Sequence, residues 1–305
     1  MLLFSELDLI EWDGLAPGAA IVSPSKRKQR TLRESISFSG KGLHNGLDSR
    51  VRIDPAPENS GITFGYNSAP PLRPAYACLA NSTTTAICGE DAILCVEHFL
   101  ACLHGLSITN AAIRVEGGNE LPILDGSGRL LVEQISRIGI IEQQTTGYEV
   151  RIAKNVAMVH PDGRSIKAAP SDKLQVEAEI QFPAPIGRQH KGLDITEDTF
   201  LREVAPARTF LQKSISDIPL AEVQANRLLG LDVNEPQLIF YDNHGFKVPL
   251  RFDDECIRHK VLDFMGDTFT GGFPIVGSFS LMRPGHAFTL AFIRALMRAA
   301  VREPI

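Results

Sequence analysis

A short stretch of this chain occurs twice. Cys95-Val96-Glu97-His98 is echoed by Cys256-Ile257-Arg258-His259, and a glycine follows seven residues after each histidine, at Gly105 and Gly266. Both copies sit in apolar patterns of helical period, Ala92 to Leu106 and Asp254 to Asp267, and a β-like segment follows each glycine. A repeated helix-then-strand unit points to a duplicated sheet-plus-helix domain in which each half presents one helical histidine. Length agrees. At 305 residues a single core is near its practical limit, and two domains of about 150 residues are expected.

Alternating stretches at Ser35–Phe38, Ser49–Ile53, Ala111–Val115, Glu149–Ile152 and Leu174–Ile180 read as strands. Leu130 to Ile138, Asp217 to Leu229 and Pro284 to Arg302 read as further helices. The polar stretch Glu142–Gly147 is the best candidate linker. Residues 29–144 are therefore expected to form domain I and residues 145–305 domain II, with residues 1–28 a partly ordered N-terminal extension. That extension ends in the basic run Lys26–Arg30, which reads as a solvated face.

Composition excludes several classes. Hydrophobic residues at 44% and charged residues at 22% are ordinary globular usage, not that of a disordered or collagen-like chain. A net charge of −5 supplies no broad positive field for nucleic acid or an anionic membrane. No apolar run approaches the ~20 residues of a transmembrane helix, and the acidic N-terminus reads poorly as a signal peptide. Five cysteines without a CxxC favour a reduced, cytoplasmic setting, and Cys95 and Cys102 read as small buried hydrophobes.

The chemistry concentrates on the two repeated helices. His259 and Asp263 stand four apart, so both project from one helix face, either as a solvated pair or as two ligands of one metal ion. Asp267 continues that stripe beside Lys260, among Val261, Leu262, Phe264 and Met265. On the first helix Glu97 adjoins His98 in an apolar stretch, where a carboxylate is costly unless paired or functional. If the helices face each other, His98, His259 and Asp263 complete a three-ligand zinc site with a position left for water. Glu97 would then reach that water as general base. His286, near a helix N-terminus, needs a partner to hold charge, and Asp267 can supply it. The glycine-rich segment Gly40–Gly46 is most simply a hairpin loop, since the Gly-Lys-Ser/Thr of a phosphate-binding loop is absent. His44 within it is a further candidate to line the site, His104 reads as a helix-end residue, and His160, His190 and His244 read as solvated.

Five segments in order, Val96–Leu100, Leu121–Ser127, Ala207–Phe210, Arg258–Asp267 and Gly285–Ala287, resemble the motif set of the UDP-3-O-acyl-N-acetylglucosamine deacetylases, zinc amidases of lipid A biosynthesis. Gln29–Leu32 and Gly42–Gly46 resemble that family's N-terminal stretch. The resemblance implies an α+β fold of two similar two-layer sheet-plus-helix domains, packed helix to helix with the active site at their interface. It implies Zn2+ on His98, His259 and Asp263, Glu97 as base, and a charged His286 beside Asp267 as catalytic residues. Lys260, Thr209 and Phe210 fall to substrate binding or oxyanion stabilisation. The implied reaction is removal of acetate from a UDP-linked acylated amino sugar, by a monomer that contacts the membrane surface only transiently. Two departures stand out: Leu211 and Gln212 follow Phe210 where the family usually has Gly, and Leu229–Pro236 replaces a Gly-Gly-Ser-Leu-type loop. They bear on the acyl passage, and motivate as alternatives a zinc hydrolase for a different acylated sugar or a non-catalytic binding paralogue.

Overall fold

The computed structural model describes residues 9–74, 77–81, 84–88, 92–212 and 238–303. The expected helix over Asp217–Leu229 and the altered loop at Leu229–Pro236 lie outside these. Four helices organise the described part: α1 (Glu97–Gly105), α2 (Arg129–Ile138), α3 (Glu255–Phe269) and α4 (His286–Ala299). Their order in the chain repeats a helix–strand–helix sequence. α1 is followed by the strand Ala111–Gly117 and then α2, while α3 is followed by the strand Ile275–Met282 and then α4.

The first of those strands belongs to a four-stranded sheet with Ile36–Lys41, Asp48–Pro55 and Ile62–Tyr66. Its alternating burial sends Val51, Ile53, Ile113 and Val115 inward, the period of 2 that a half-buried strand requires. The second belongs to a nine-stranded sheet, where Ile275–Met282 pairs with Ser165–Ala169, Leu174–Gln181 and the end of Ile140–Ile152. The molecule is thus a mixed α+β fold with few helices.

Two expectations fail at the chain's polar stretches. Residues 142–147 are not a linker: they lie inside the 13-residue strand Ile140–Ile152, so the expected boundary at 144/145 falls mid-strand. Its antiparallel partner is the 13-residue strand Ala20–Leu32, which takes in residues 20–28 of the expected extension and the basic run. The reason is a polar network in place of an apolar face. Asn110 Nδ2 donates to Gln29 Oε1 at 2.7 Å and to Gln143 Oε1 at 2.6 Å, joining both strands to the first sheet. Lys26, Arg27 and Lys28 are exposed, as a solvated face should be.

α3 is buried at every position except Lys260. It packs directly against α1, and the two repeated glycines permit close approaches. A Cβ on Gly266 would stand 2.0 Å from the Glu97 carbonyl oxygen, and one on Gly105 2.3 Å from the Phe200 ring. Between these points His104 ends α1 buried, not merely at a helix end; its Nδ1–H donates to the Met265 carbonyl at 3.1 Å and its ring stacks on Phe269. His160 is also buried, against the reading of a solvated residue, whereas His190 and His244 are exposed. Cys102 is a small core residue as expected, and Cys88 is disulfide-bonded.

Two outcomes follow from the helix contact. Gly266→Ala drives a methyl into backbone and is expected to cost about 1–3 kcal/mol, the range of core overpacking; an unchanged urea midpoint would contradict the contact. Burial pushes His104 down to about 4, the Met265 carbonyl opposing only in part. The unfolded chain therefore binds more protons as pH falls from 6.5 towards 4, and up to ~3 kcal/mol of stability present above 6.5 is lost across that window. His104→Asn, measured by urea unfolding, should show a shallower loss across it, and equal slopes would refute this.

Candidate active site

Because α1 begins at Glu97, adjacent residues Glu97 and His98 diverge by about 100° around the helix. His98 turns to α3, where its ring meets that of His259 edge-on at 5.0 Å between centroids. Asp263, one turn after His259, completes the convergence: its Oδ1 lies 3.6 Å from His98 Nε2 and 3.3 Å from His259 Nε2. The face shared by His259 and Asp263 is not solvated, for the two are 1% and 4% exposed. The solvated pair, one of the two readings open in the sequence, is therefore not what the structure holds.

Each member is fixed from behind. His259 donates its Nδ1–H to the Ala207 carbonyl at 3.0 Å, which leaves the Nε2 lone pair facing Asp263. Burial pushes His259 down to about 3, despite the attraction of Asp263, so the ring is neutral. Asp263 Oδ2 accepts from Lys260 Nζ at 2.7 Å. Although burial opposes it, the neighbouring His259 ring and the positive charges of Lys260 and His286 hold Asp263 well below the usual carboxylate range. Lys260 Nζ in turn lies over the Phe210 ring at 5.3 Å, and that ring also packs edge-on against His259. Thr209 precedes it, anchored by its N–H to the Gly126 carbonyl at 2.8 Å.

Glu97 is buried, and burial raises its carboxyl above the ordinary value while His286 and His98 pull it back. On the other side His286 Nδ1 meets Asp267 Oδ2 at 2.9 Å. Burial acts to discharge that ring, but Asp267, Asp263 and Glu97 together outweigh it and push His286 up to about 9. The pocket therefore holds a neutral His259, an ionised Asp263 and a protonated His286 side by side. Of the nine residues expected from the sequence, Glu97, His98, Phe210, Lys260, His259, Asp263, Asp267 and His286 are joined by these contacts, and Thr209 stands next to Phe210 in the chain.

Three groups escaped the sequence reading. Thr84 Oγ1 donates to Glu97 Oε1 at 2.9 Å, and the Thr85 N–H donates to Oε2 at 3.1 Å. Thr85 Oγ1 donates to Asp267 Oδ1 at 2.7 Å. They come from one short strand, Thr84–Ile87, whose threonines carry no motif signal. The third is Glu255 at the head of α3, which grips Arg208 at Nε (2.9 Å) and Nη2 (3.0 Å) and so fixes the Ala207–Phe210 segment. Leu211, one of the departures from the family pattern, packs on a small separate core of Leu43, Ile123, Leu238 and Phe240.

The donor set suits a metal ion. Asp263 Oδ1 is a buried oxygen without a hydrogen-bond partner among the described residues, aimed at two imidazole nitrogens. Such an atom costs about 1–3 kcal/mol if left bare, and a cation among the three donors would remove that cost. A family model described as LpxC, UDP-3-O-acyl N-acetylglycosamine deacetylase, matches residues 29–298. The chain belongs to this deacetylase family. A UDP-3-O-acyl-N-acetylglucosamine deacetylase of Nitratidesulfovibrio vulgaris is 38% identical over 276 residues, 88% of this chain and 87% of the relative. Those of Chlamydia pneumoniae and Brucella melitensis are 34% and 33% identical, covering 90% and 88% of this chain and 98% and 95% of their own. For a member of the deacetylase family, the threonine grip on Glu97 has a measurable consequence. Thr84→Val should lower kcat roughly tenfold, the worth of one hydrogen bond to a charged group, with KM and bound metal unchanged. An unaltered kcat would contradict the positioning.

Proposed function

We propose that this protein hydrolyses the acetamide of UDP-3-O-acyl-N-acetylglucosamine, giving UDP-3-O-acyl-glucosamine and acetate in lipid A biosynthesis. The observation that carries the reading is the convergence of His98, His259 and the unpartnered Asp263 Oδ1 between α1 and α3. We read the molecule as two related halves, 29–144 and 145–305, that meet through these helices, with the strand Ile140–Ile152 crossing the boundary. No described helix is long and apolar enough to cross a membrane.

His98, His259 and Asp263 would hold Zn2+, two imidazoles and a carboxylate being a known catalytic donor set. When bound, the ion supplies Lewis acidity that polarises an acyl carbonyl and acidifies water at neutral pH. Glu97, its carboxyl raised by burial and held by Thr84 and Thr85, takes the proton of the water that attacks the acetyl carbon. Negative charge then develops on the carbonyl oxygen. His286, kept protonated by Asp267, faces that charge from the α4 N-terminus. Thr209, the chain neighbour of the Phe210 whose ring lies under Lys260, would contribute its hydroxyl. Collapse breaks the C–N bond, and the proton held by Glu97 passes to the departing amine. Lys260, over Phe210 and paired with Asp263, keeps a positive charge at the mouth of the site for the substrate.

Glu97→Gln should lower turnover about 10²–10⁴-fold while bound zinc stays constant, as measured by acetate release and metal analysis together. Near-normal turnover would overturn the base assignment. His98→Ala and Asp263→Ala should each lose zinc as well as activity; undiminished stoichiometry would remove them from the ligand set.

A further inference from the structure

Among the described residues a second set of donors converges away from the proposed catalytic ligands and shares none of them: His44, Cys95 and Glu120. They come from three places, the turn after the strand Ile36–Lys41, the residue pair preceding α1, and the loop after Ala111–Gly117. Glu120 Oε1 lies 2.7 Å from His44 Nδ1 and 3.0 Å from Cys95 Sγ, and that sulfur is 3.4 Å from His44 Nδ1. All three are buried, at 5%, 9% and 0% exposure in the case of His44, Cys95 and Glu120. Cys95 is thus not the plain core hydrophobe its spacing suggests.

The arrangement is held from outside. The N–H groups of His44 and Asn45 donate to Glu120 Oε2 at 3.1 and 2.9 Å, so the glycine-rich loop cradles the chain's own carboxylate. Gly42 must be glycine for this, since a Cβ there would stand 2.5 Å from that oxygen. Cys95 is held with φ at +57°, a conformation few non-glycine residues adopt. Thr84 Oγ1 lies 3.2 Å from its sulfur and 2.9 Å from Glu97 Oε1, one hydroxyl from the proposed base.

We propose that His44, Cys95 and Glu120 form a second metal site, for a divalent cation that accepts thiolate ligands, such as zinc or cobalt. One imidazole, one thiolate and one carboxylate make a borderline-soft donor set suited to these ions. Charge balances: a thiolate and a carboxylate together offset the two positive charges of the cation in a buried place. Binding breaks the Cys95 S–H bond, forms a sulfur–metal bond and releases one proton to solvent; His44 binds through Nδ1 as neutral imidazole with its proton on Nε2. Bonds of about 2.0–2.3 Å in a tetrahedron set neighbouring ligand atoms roughly 3.3–3.7 Å apart, so the cluster opens by under ~1 Å. Cys95 also borders a small recess that it shares with His98, Phe99, Pro122 and Leu124.

Sulfur makes the test selective, because the set His98, His259 and Asp263 contains none. The full-length protein, stripped of metal, is titrated with cobalt(II) and followed by near-ultraviolet absorption. A thiolate-to-cobalt charge-transfer band is expected, with two equivalents bound at saturation. The band should vanish in Cys95→Ser and persist in Cys102→Ser and Cys256→Ser. His98→Ala should lose one equivalent yet keep the band, separating failure of this site from failure of the catalytic one. Glu120→Gln, in case Cys95→Ser does not fold, should weaken the band-forming affinity at least ~10-fold. Absence of the band at saturating cobalt, or a band that survives Cys95→Ser, overturns the proposal and leaves a hydrogen-bonded cluster.

Discussion

The contact on which the site depends is backbone against backbone. Gly266 of α3 rests on the carbonyl of Glu97, the first residue of α1, at a distance no side chain would allow. That approach sets His98 within 3.6 Å of Asp263 and brings their rings and carboxylates onto one point between the helices. The repeated glycine is thus a packing residue, and the repeated histidine is what the packing delivers. In the first copy the partner of Gly266 is Gly105, which admits the Phe200 ring instead.

Burying α3 commits the chain to neutralising what that helix carries. Glu255 is matched by Arg208, Arg258 by Asp254 and Glu203, and Asp267 by His286 and Thr85. A buried charge without a partner costs several kcal/mol, so such closure is required for the helix to be buried at all. Against that background one atom stands out. Asp263 Oδ1 faces two imidazole nitrogens and has no hydrogen-bond partner among the described residues, although its sister oxygen is held by Lys260. Among the described residues of the site, that acceptor deficit lies where the proposed cation would sit.

Much of the site was legible in the sequence because its ligands lie on helices. His259 and Asp263 at i,i+4 share a face whatever surrounds them, and the echo of Cys95–His98 supplied the other half. The family motifs then imply the roles proposed for them. What stayed hidden depends on pairing across the chain. Residues 142–147 read as a linker since their side chains are polar, yet Gln143 meets Asn110 and the backbone meets a second 13-residue strand. Thr84 and Thr85 acquire a role only when the strand that bears them is laid beside α1, and Cys95 is removed from an apolar face by a left-handed backbone. The glycine-rich loop was read correctly as a turn, but the anion it holds is Glu120 of the same chain.

Metal-dependent deacetylation at the α1–α3 junction, as proposed, is open to direct test. Its most direct measurement is acetate release from UDP-3-O-acyl-N-acetylglucosamine by metal-stripped protein as zinc is added back. Activity should be lost on stripping and should reach its maximum on filling one site per chain. Full activity in the stripped protein, or none at any zinc concentration, would contradict the account.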